Sequence, residues 1–344
     1  MKVGIINVTG YAGAELARIL YRHPEVEIAS VTGRSAAGQK LGEYFPHLSA
    51  IDLTITEDVT ESVDLVFSAL PHAASAERLE GALKDGIKAI DISADFRLKD
   101  LDEYQEWYKI KHPCPQYLEE AVYGLPEIHR EEVASANLIA NPGCYPSAAI
   151  LALAPAVKAG IIEPDIIVDA KSGVSGAGRG ASVATNFSEV NENVSAYAVD
   201  GHRHLPEIIQ ELKAIDPTGD LKLTLLTHLI PMTRGILASC YAPLKEGAIA
   251  AGEAAKSEVL ELYKSFYEDE PFAHVVDTPP MTKHTLGNNN CVIFPMVDVR
   301  TNRLMVVSCL DNLVKGAAGQ AVQNMNIMFG FSEDEGLEQL AMYP

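Results

Sequence analysis

The chain has 344 residues and a formal charge of −20, from 47 acidic and 27 basic side chains. That charge argues against nucleic acid or an anionic membrane as partner, and no apolar run is long enough to cross a bilayer as a helix. The length is generous for one core, so two domains are expected. The five cysteines (Cys114, Cys144, Cys240, Cys291, Cys309) are widely spaced and odd in number. No CxxC pair or Cys/His spacing points to zinc, so no metal is expected and free thiols in a reducing cytoplasm are the simplest account. The start reads as a strand, since its apolar run is too short for a signal peptide.

Residues 3–6 are that first strand. They run into Asn7-Val8-Thr9-Gly10-Tyr11-Ala12-Gly13 and then a helical run over 14–20. Strand, glycine turn and helix come in the order of a dinucleotide fold, whose glycines let the backbone approach a pyrophosphate. The alternative is a plain strand–helix turn. The second strand, 26–32, ends in Gly33-Arg34-Ser35. An NAD enzyme commonly offers an acid there to the ribose 2′-hydroxyl. Arg34 with Ser35 suits a 2′-phosphate, hence NADP, unless Arg34 is only a surface cation.

A strand over 63–70 breaks at Pro71-His72, a position that points at a ligand crevice, and a helical run over 73–85 follows. The next strand, 89–92, leads to Asp95 and Arg97, which either line that crevice or pair with each other. Residues 101–135 are acidic, aromatic and proline-broken, and read as a surface excursion. Residues 138–140 re-enter the sheet and deliver the chain to Asn141-Pro142-Gly143-Cys144-Tyr145-Pro146-Ser147. A helical run follows at once, so Cys144 stands at a helix N-terminus, where unsatisfied N–H groups and the dipole favour a thiolate. The functional reading is a nucleophile; the alternative is a buried structural thiol. Pro155 is expected to kink or end this helix.

Beyond residue 160 the pattern changes. Apolar or alternating runs at 166–168, 223–230, 236–241, 292–299 and 304–310 suit an antiparallel or mixed sheet, faced by helices such as 249–267. Two loops there carry chemistry. Ser172-Gly173-Val174-Ser175-Gly176-Ala177-Gly178-Arg179-Gly180 can wrap an anion with N–H groups and hydroxyls, or is a flexible structural loop. Gly201-His202-Arg203-His204-Leu205-Pro206-Glu207 offers a base oriented by Glu207, or a structural histidine; nothing completes a zinc set. Arg234 adds a cation between two strands. Asp311-Asn312-Leu313-Val314-Lys315-Gly316 opens a last helix to about residue 329, with Gly330 as its cap.

Taken together, Gly10 to Leu16, Asn141 to Pro146, Ser172 to Arg179, Gly201 to His204 and Asp311 to Gly316 resemble N-acetyl-γ-glutamyl-phosphate reductase, a relative of aspartate-semialdehyde dehydrogenase. The motifs stand in the family's order and span almost the whole chain. The resemblance implies an α/β fold: a Rossmann-type NADP-binding domain plus an α+β substrate and oligomerisation domain with a mostly antiparallel or mixed sheet. Its expected divisions are 1–143 for NADP, 144–311 for substrate and subunit contacts, and 312–344 as a C-terminal helix returning to the first domain.

By motif, Cys144 is the expected nucleophile and His202 the base, supported by His204 and Glu207. NADP is expected at Thr9, Gly10, Tyr11, Ala12, Gly13, Arg34, Ser35 and Pro71, with Ser175, Gly176, Asn312 and Lys315 toward the nicotinamide. Asn141, Ser172, Arg179, Arg203 and Arg234 are expected to hold the substrate. Asn7 stands where the family usually has glycine, and Ser147 where threonine is usual; asparagine tolerates unusual backbone angles better than most residues.

The reaction implied is NADPH-dependent reduction of N-acetyl-L-glutamyl 5-phosphate to the 5-semialdehyde and phosphate, through a cysteine thioester, by a cytoplasmic homo-oligomer (dimer or tetramer). Three alternatives stay open. One is the carrier-protein-linked aminoadipyl-phosphate reductase of lysine biosynthesis, whose motif carries Asn after the cysteine rather than Tyr145-Pro146. Another is aspartate-semialdehyde dehydrogenase, which lacks the Gly-His-Arg-His motif. The third is a nucleotide-binding protein without turnover.

Overall fold

The computed structural model describes residues 1–217 and 220–344. By contacts the chain divides into two compact units. The first holds Met1–Gly143 and Ala317–Gln339, and the second Cys144–Gly316 and Leu340–Pro344.

The first unit is built on strands β1 (Lys2–Ile6), β2 (Glu27–Val31), β3 (Leu65–Ser68), β4 (Lys88–Asp91), β5 (Val122–Tyr123) and β6 (Leu138–Ala140), all parallel, in the order β2-β1-β3-β4-β6-β5. Helices α1 (Tyr11–Leu20), α2 (Leu41–Tyr44), α3 (Ala76–Lys84), α4 (Leu101–Tyr108) and α5 (Pro126–Ser135) lie along the same stretch of chain. Successive strands are added on opposite sides of β1, so the order reverses between β1 and β3. Ligands of open parallel sheets bind at the carboxyl ends of strands beside such a reversal. The strands are short and buried on both faces, which is why they read as apolar runs rather than alternations.

The stretch 101–135 is not the surface excursion expected. It forms α4, β5 and α5, and β5 joins the sheet by pairing with β6. Tyr104 of α4 is fully buried, its hydroxyl 3.3 Å from the Asp95 carboxylate. Acidic residues made this segment look solvated, but while Asp102 and Glu106 of α4 are exposed, Tyr104 is in the core, and Glu127 of α5 is itself buried.

The second unit opens with α6 (Cys144–Lys158). Around it stand β7 (Asp165–Ser172), α7 (Phe187–Val190), β8 (Ser195–Tyr197), α8 (Leu205–Ile215), β9 (Lys222–Leu229), β10 (Ile236–Pro243), α9 (Ala254–Phe266), β11 (Ala273–Val275), β12 (Cys291–Asp298) and β13 (Arg303–Leu310). The sheet order is β11-β12-β13-β10-β7-β9-β8, with β11–β12 and β7–β9 parallel and the other pairs antiparallel. It is the mixed sheet expected. β10 and β12 alternate buried and half-buried residues, with α6 and α9 packed on the sheet. The chain then passes through a π-turn, Val314–Ala318, into α10 (Gly319–Phe329). Gly330 closes that helix with φ 72° and an N–H donated to the carbonyls of Asn326 and Ile327.

Helix α6 corrects one part of an expectation, since Pro155 does not end it. The helix runs on to Lys158, with Ala159 N–H bonded to the Pro155 carbonyl. Proline deprives the Leu151 carbonyl of its helical donor. The Tyr267 hydroxyl donates to that carbonyl at 2.6 Å, and the Tyr263 hydroxyl donates to the next one, Ala152, at 2.8 Å. The freed Leu151 acceptor is satisfied by Tyr267, the residue that closes α9, so the buried helix keeps its proline without orphaning that carbonyl.

Candidate active site

In the first unit the β1–α1 turn is held tightly. Asn7 takes φ 65°, the left-handed angle that its side chain tolerates. Its Nδ2 donates to the Ala69 carbonyl at 2.8 Å, its Oδ1 accepts from the Thr9 hydroxyl at 3.0 Å, and its N–H donates to Thr32 Oγ1 at 3.2 Å. One asparagine thus fastens the ends of β1, β2 and β3 at the reversal. Gly10 precedes α1 with no side-chain cap, and the helix has no acid in its first turn. N-terminal N–H groups at a helix start of this kind suit an anion. A Cβ on Gly13 would lie 2.3 Å from the Asn7 carbonyl oxygen, so this glycine is required by the close approach of helix to turn. Thr9, Tyr11 and Ala12 lie on the same turn, and Arg34 and Ser35 are exposed just past β2. A turn with glycine where a Cβ would clash, an uncapped helix start and a nearby cation fit a phosphorylated dinucleotide.

Pro71 is exposed on the loop between β3 and α3. Its neighbour Ala73 adopts φ 66°, unusual for a residue with a Cβ. The loop is held by Asp95, whose carboxylate accepts the N–H groups of Ala73 (2.6 Å), Ser75 (3.0 Å) and Ala76 (3.0 Å) at the start of α3. Asp91 accepts from the Ser75 hydroxyl (2.6 Å) and from Ser93, and burial together with the Asp95 charge pushes its carboxyl up to about 6. Arg97 donates to the carbonyls of Asn141 (2.8 Å) and Ile92 (2.9 Å). Asp95 therefore braces a crevice loop, and Arg97 fixes the strand end that leads to Cys144.

In the second unit Cys144 is the first residue of α6 and is half-buried, while the other four cysteines are buried. Burial pushes the Cys240 and Cys309 thiols up to about 12. Tyr145, one residue on, is nearly enclosed. Its ring meets those of His202 (centroids 5.4 Å apart) and His204 (5.8 Å), and its hydroxyl lies 2.9 Å from that of Tyr197. Tyr197 in turn meets His202 at 5.6 Å. Burial and the negative charge of a Cys144 thiolate both push the Tyr197 phenol upward, to about 12, so these hydroxyls stay protonated beside the thiol. His202 Nδ1 accepts the His204 N–H at 3.1 Å. An Nδ1 that accepts carries no proton, so the neutral ring holds its proton on Nε2. Burial, with help from the Arg203 charge, pushes His202 down to about 4. Glu207 is buried in the first turn of α8, directly after the histidines.

The remaining expected residues are placed less simply. Ser175, on the β7 exit loop, accepts from Asn312 Nδ2 at 2.9 Å, and Asn312 Oδ1 accepts the Gly235 N–H at 2.7 Å. Lys315 has no exposed surface, and its ammonium lies 5.7 Å from the Phe272 ring centroid. Asn312 and Lys315 are both buried in this structure. Asn141, expected to meet substrate, is likewise wholly buried, with Nδ2 donating to the Ala317 carbonyl at 3.1 Å. Ser172 is buried too and donates to the Gly173 carbonyl. Gly176, Arg179 and Arg203 are exposed. Arg234 is held by the buried Asp311 carboxylate, Nε lying 3.1 Å from Oδ2. The loops carrying Ser172 and Arg234 are laced together, Gly173, Val174 and Ser175 donating to the carbonyls of Gly235, Met232 and Thr233. Sequence reading missed Tyr197, Asp311 as an anchor and the phenol of Tyr145; only Tyr145's place beside Cys144 could have signalled one of them.

Among the described residues no group of three His, Cys, Asp or Glu side chains is arranged to hold a metal, and no helix is long and apolar enough to cross a membrane.

A parallel sheet with a glycine-turn crevice, joined to a mixed sheet that carries a half-buried thiol, defines a class. Residues 2–136 match the family model described as semialdehyde dehydrogenase, NAD binding domain, and residues 144–312 the one described as semialdehyde dehydrogenase, dimerisation domain; the chain belongs to the semialdehyde dehydrogenase family. Its relatives are more particular. N-acetyl-gamma-glutamyl-phosphate reductase of Dehalococcoides mccartyi (strain ATCC BAA-2266 / KCTC 15142 / 195) is 56% identical over 343 residues, covering 100% of this chain and 99% of the relative. The enzyme of the same name from Pelotomaculum thermopropionicum is 50% identical over 352 residues, covering 100% of this chain and 99% of the relative. The fold is shared with aspartate semialdehyde dehydrogenase from Candida albicans, solved with NADP, at a TM-score of 0.70 and 16% identity, over 95% of this chain and 98% of that one.

Proposed function

We propose that the chain reduces N-acetyl-L-glutamyl 5-phosphate to N-acetyl-L-glutamate 5-semialdehyde with NADPH, releasing phosphate, by way of a thioester on Cys144. The observation that carries the reading is Cys144 itself. It alone among the described cysteines is not buried, and it opens a helix in a chain 56% identical end to end to a protein of that activity. The first unit is the nucleotide-binding part, with the Gly10–Gly13 turn for the pyrophosphate and Arg34 with Ser35 for a 2′-phosphate. The second is the catalytic and assembly part of a cytoplasmic homo-oligomer.

Cys144 attacks the acyl-phosphate carbonyl, the C–O bond to phosphate breaks, and a thioester remains. NADPH, when bound, supplies the hydride that reduces it. The carbonyl oxygen becomes an alkoxide, which collapses by expelling the Cys144 thiolate and leaving the aldehyde. That step needs no proton, only a donor to the oxygen. His202, neutral and protonated on Nε2, is such a donor rather than the base expected from its motif, and a neutral imidazole serves this role without leaving a charge to be neutralised. His204 fixes the ring through its N–H, and Glu207 supports the helix that follows. Arg179, Arg203 and Arg234 are the cations available for the phosphate and the α-carboxylate.

Cys144→Ser tests the reading in the reverse direction, with N-acetylglutamate semialdehyde, phosphate and NADP. Turnover is expected to vanish while NADPH binding persists; retained reductase activity would remove Cys144 from the chemistry. If the aminoadipate counterpart is preferred by the parent protein, the lysine-pathway alternative replaces this substrate.

A further inference from the structure

The π-turn after β13 lies against the nucleophile. A Cβ on Gly316 would stand 2.7 Å from Cys144 Cβ, 3.2 Å from Cys144 Cα and 3.3 Å from Leu310 Cδ1. Gly316 does not have the left-handed backbone angle that favours glycine, so the close approach alone requires it. Carbon atoms in contact rest about 3.5–4.0 Å apart, so a methyl group here would displace Cys144 or the turn by about 1 Å. The turn is not free to yield. Asp311 accepts the N–H groups of Gly316 (2.9 Å) and Val314 (3.2 Å) on its carbonyl. Its carboxylate, wholly buried, accepts Gly287 N–H (2.8 Å) and Leu313 N–H (2.9 Å) and holds Arg234. Turns of this π type are rare and recur at functional sites.

We propose that Asp311 and Gly316 are positioning residues for the Cys144 thiol, the buried Asp311 bracing the π-turn whose side-chain-free Gly316 seats the nucleophile at the start of α6. The inference rests on the reading of Cys144 as nucleophile, but its first readout does not. A further consequence follows from Asp311's other partner. Arg234, a candidate clamp for a substrate anion, is fixed by the carboxylate of the same residue whose carbonyl holds the turn, and that carboxylate also accepts Leu313 N–H just before it, so substrate grip and thiol placement share one residue as anchor.

The test uses the full-length chain with Gly316→Ala and, separately, Asp311→Asn, which keeps the size of the side chain and removes its charge. Three quantities are read: the pH profile of Cys144 alkylation by iodoacetamide, followed by peptide mass spectrometry; kcat; and NADPH affinity by fluorescence. Gly316→Ala is expected to shift the alkylation profile and lower kcat about 100-fold, as a misplacement of about 1 Å does, with NADPH affinity within about twofold of the parent. Asp311→Asn is expected to shift the profile in the same direction, and it serves if Gly316→Ala does not fold. Unchanged alkylation profiles overturn the proposal, as does a loss of NADPH affinity in step with kcat, which marks a general structural defect. A shifted profile with unchanged kcat upholds the positioning and instead removes Cys144 from the reaction.

Discussion

The state of His202 is where the mechanism is most exposed to test. An ordinary histidine titrates near 6.5, and burial of this ring, aided by the Arg203 charge, lowers it to about 4. The depression corresponds to roughly 3 kcal/mol against the charged form. At pH 5.5 an unperturbed imidazole is about 90% protonated, whereas His202 should be only about 3% protonated. The Nδ1 contact with the His204 N–H further predicts which neutral tautomer is present. Long-range proton–nitrogen correlation spectra of histidine-labelled protein, recorded between about pH 5 and about pH 8, read both quantities. The expected result is a His202 signal that stays neutral throughout, with the proton on Nε2. A midpoint near 6.5, or a proton on Nδ1, would refute both the burial argument and the donor role. The sign for stability follows. Because the folded-state value is depressed, the unfolded chain takes up the proton first, so this residue's contribution is lost as pH falls from about 6.5 toward about 4. His202→Asn should flatten that part of the profile.

Two further sites test the frame around these residues. Tyr267→Phe removes the donor to the Leu151 carbonyl and should cost about 1–3 kcal/mol in urea unfolding; adding Pro155→Ala, which restores a helical N–H, should recover part of it, and strict additivity would contradict the compensation. Asp91 carries the opposite sign to His202. Its folded-state value is raised, so the folded protein holds the proton more tightly, and stability declines as pH rises from about 4 to about 6. Asp91→Asn should therefore gain on the parent across that interval by on the order of 1–3 kcal/mol, and a constant difference in denaturation midpoint would show that Asp91 does not titrate there.

Much of this was legible in the residues because it is local. The β1 turn, the change of period after residue 160 and the thiol opening a helix each occupy a few consecutive positions. Asn7 is one case: an asparagine stands in a glycine's place and tolerates unusual backbone angles, and the structure shows the angle to be left-handed. What escaped was non-local. Pro155 reads as a helix breaker until Tyr267, 116 residues beyond Leu151, supplies the missing donor. Asn141, Asn312 and Lys315 look like ligand groups by type, and that all three are buried is set by packing that no motif encodes. The 101–135 segment was misjudged because exposed charges such as Asp102 and Glu106 say nothing of Tyr104 between them. Gly316 was visible only as a helix-start glycine; that it lies against Cys144 requires coordinates.

Every residue of α6 from Tyr145 to Val157 is buried. A helix enclosed on all sides tolerates few substitutions, since each methylene added or removed is felt by its neighbours. The proposed nucleophile thus stands at the head of a fully enclosed helix. Divergence toward a different acyl chain would have to be written elsewhere, in the exposed residues 176–180 and the neighbourhood of Arg203, where side chains can change without disturbing a core. Directed changes of substrate should therefore be sought in those loops before any position of the helix is touched.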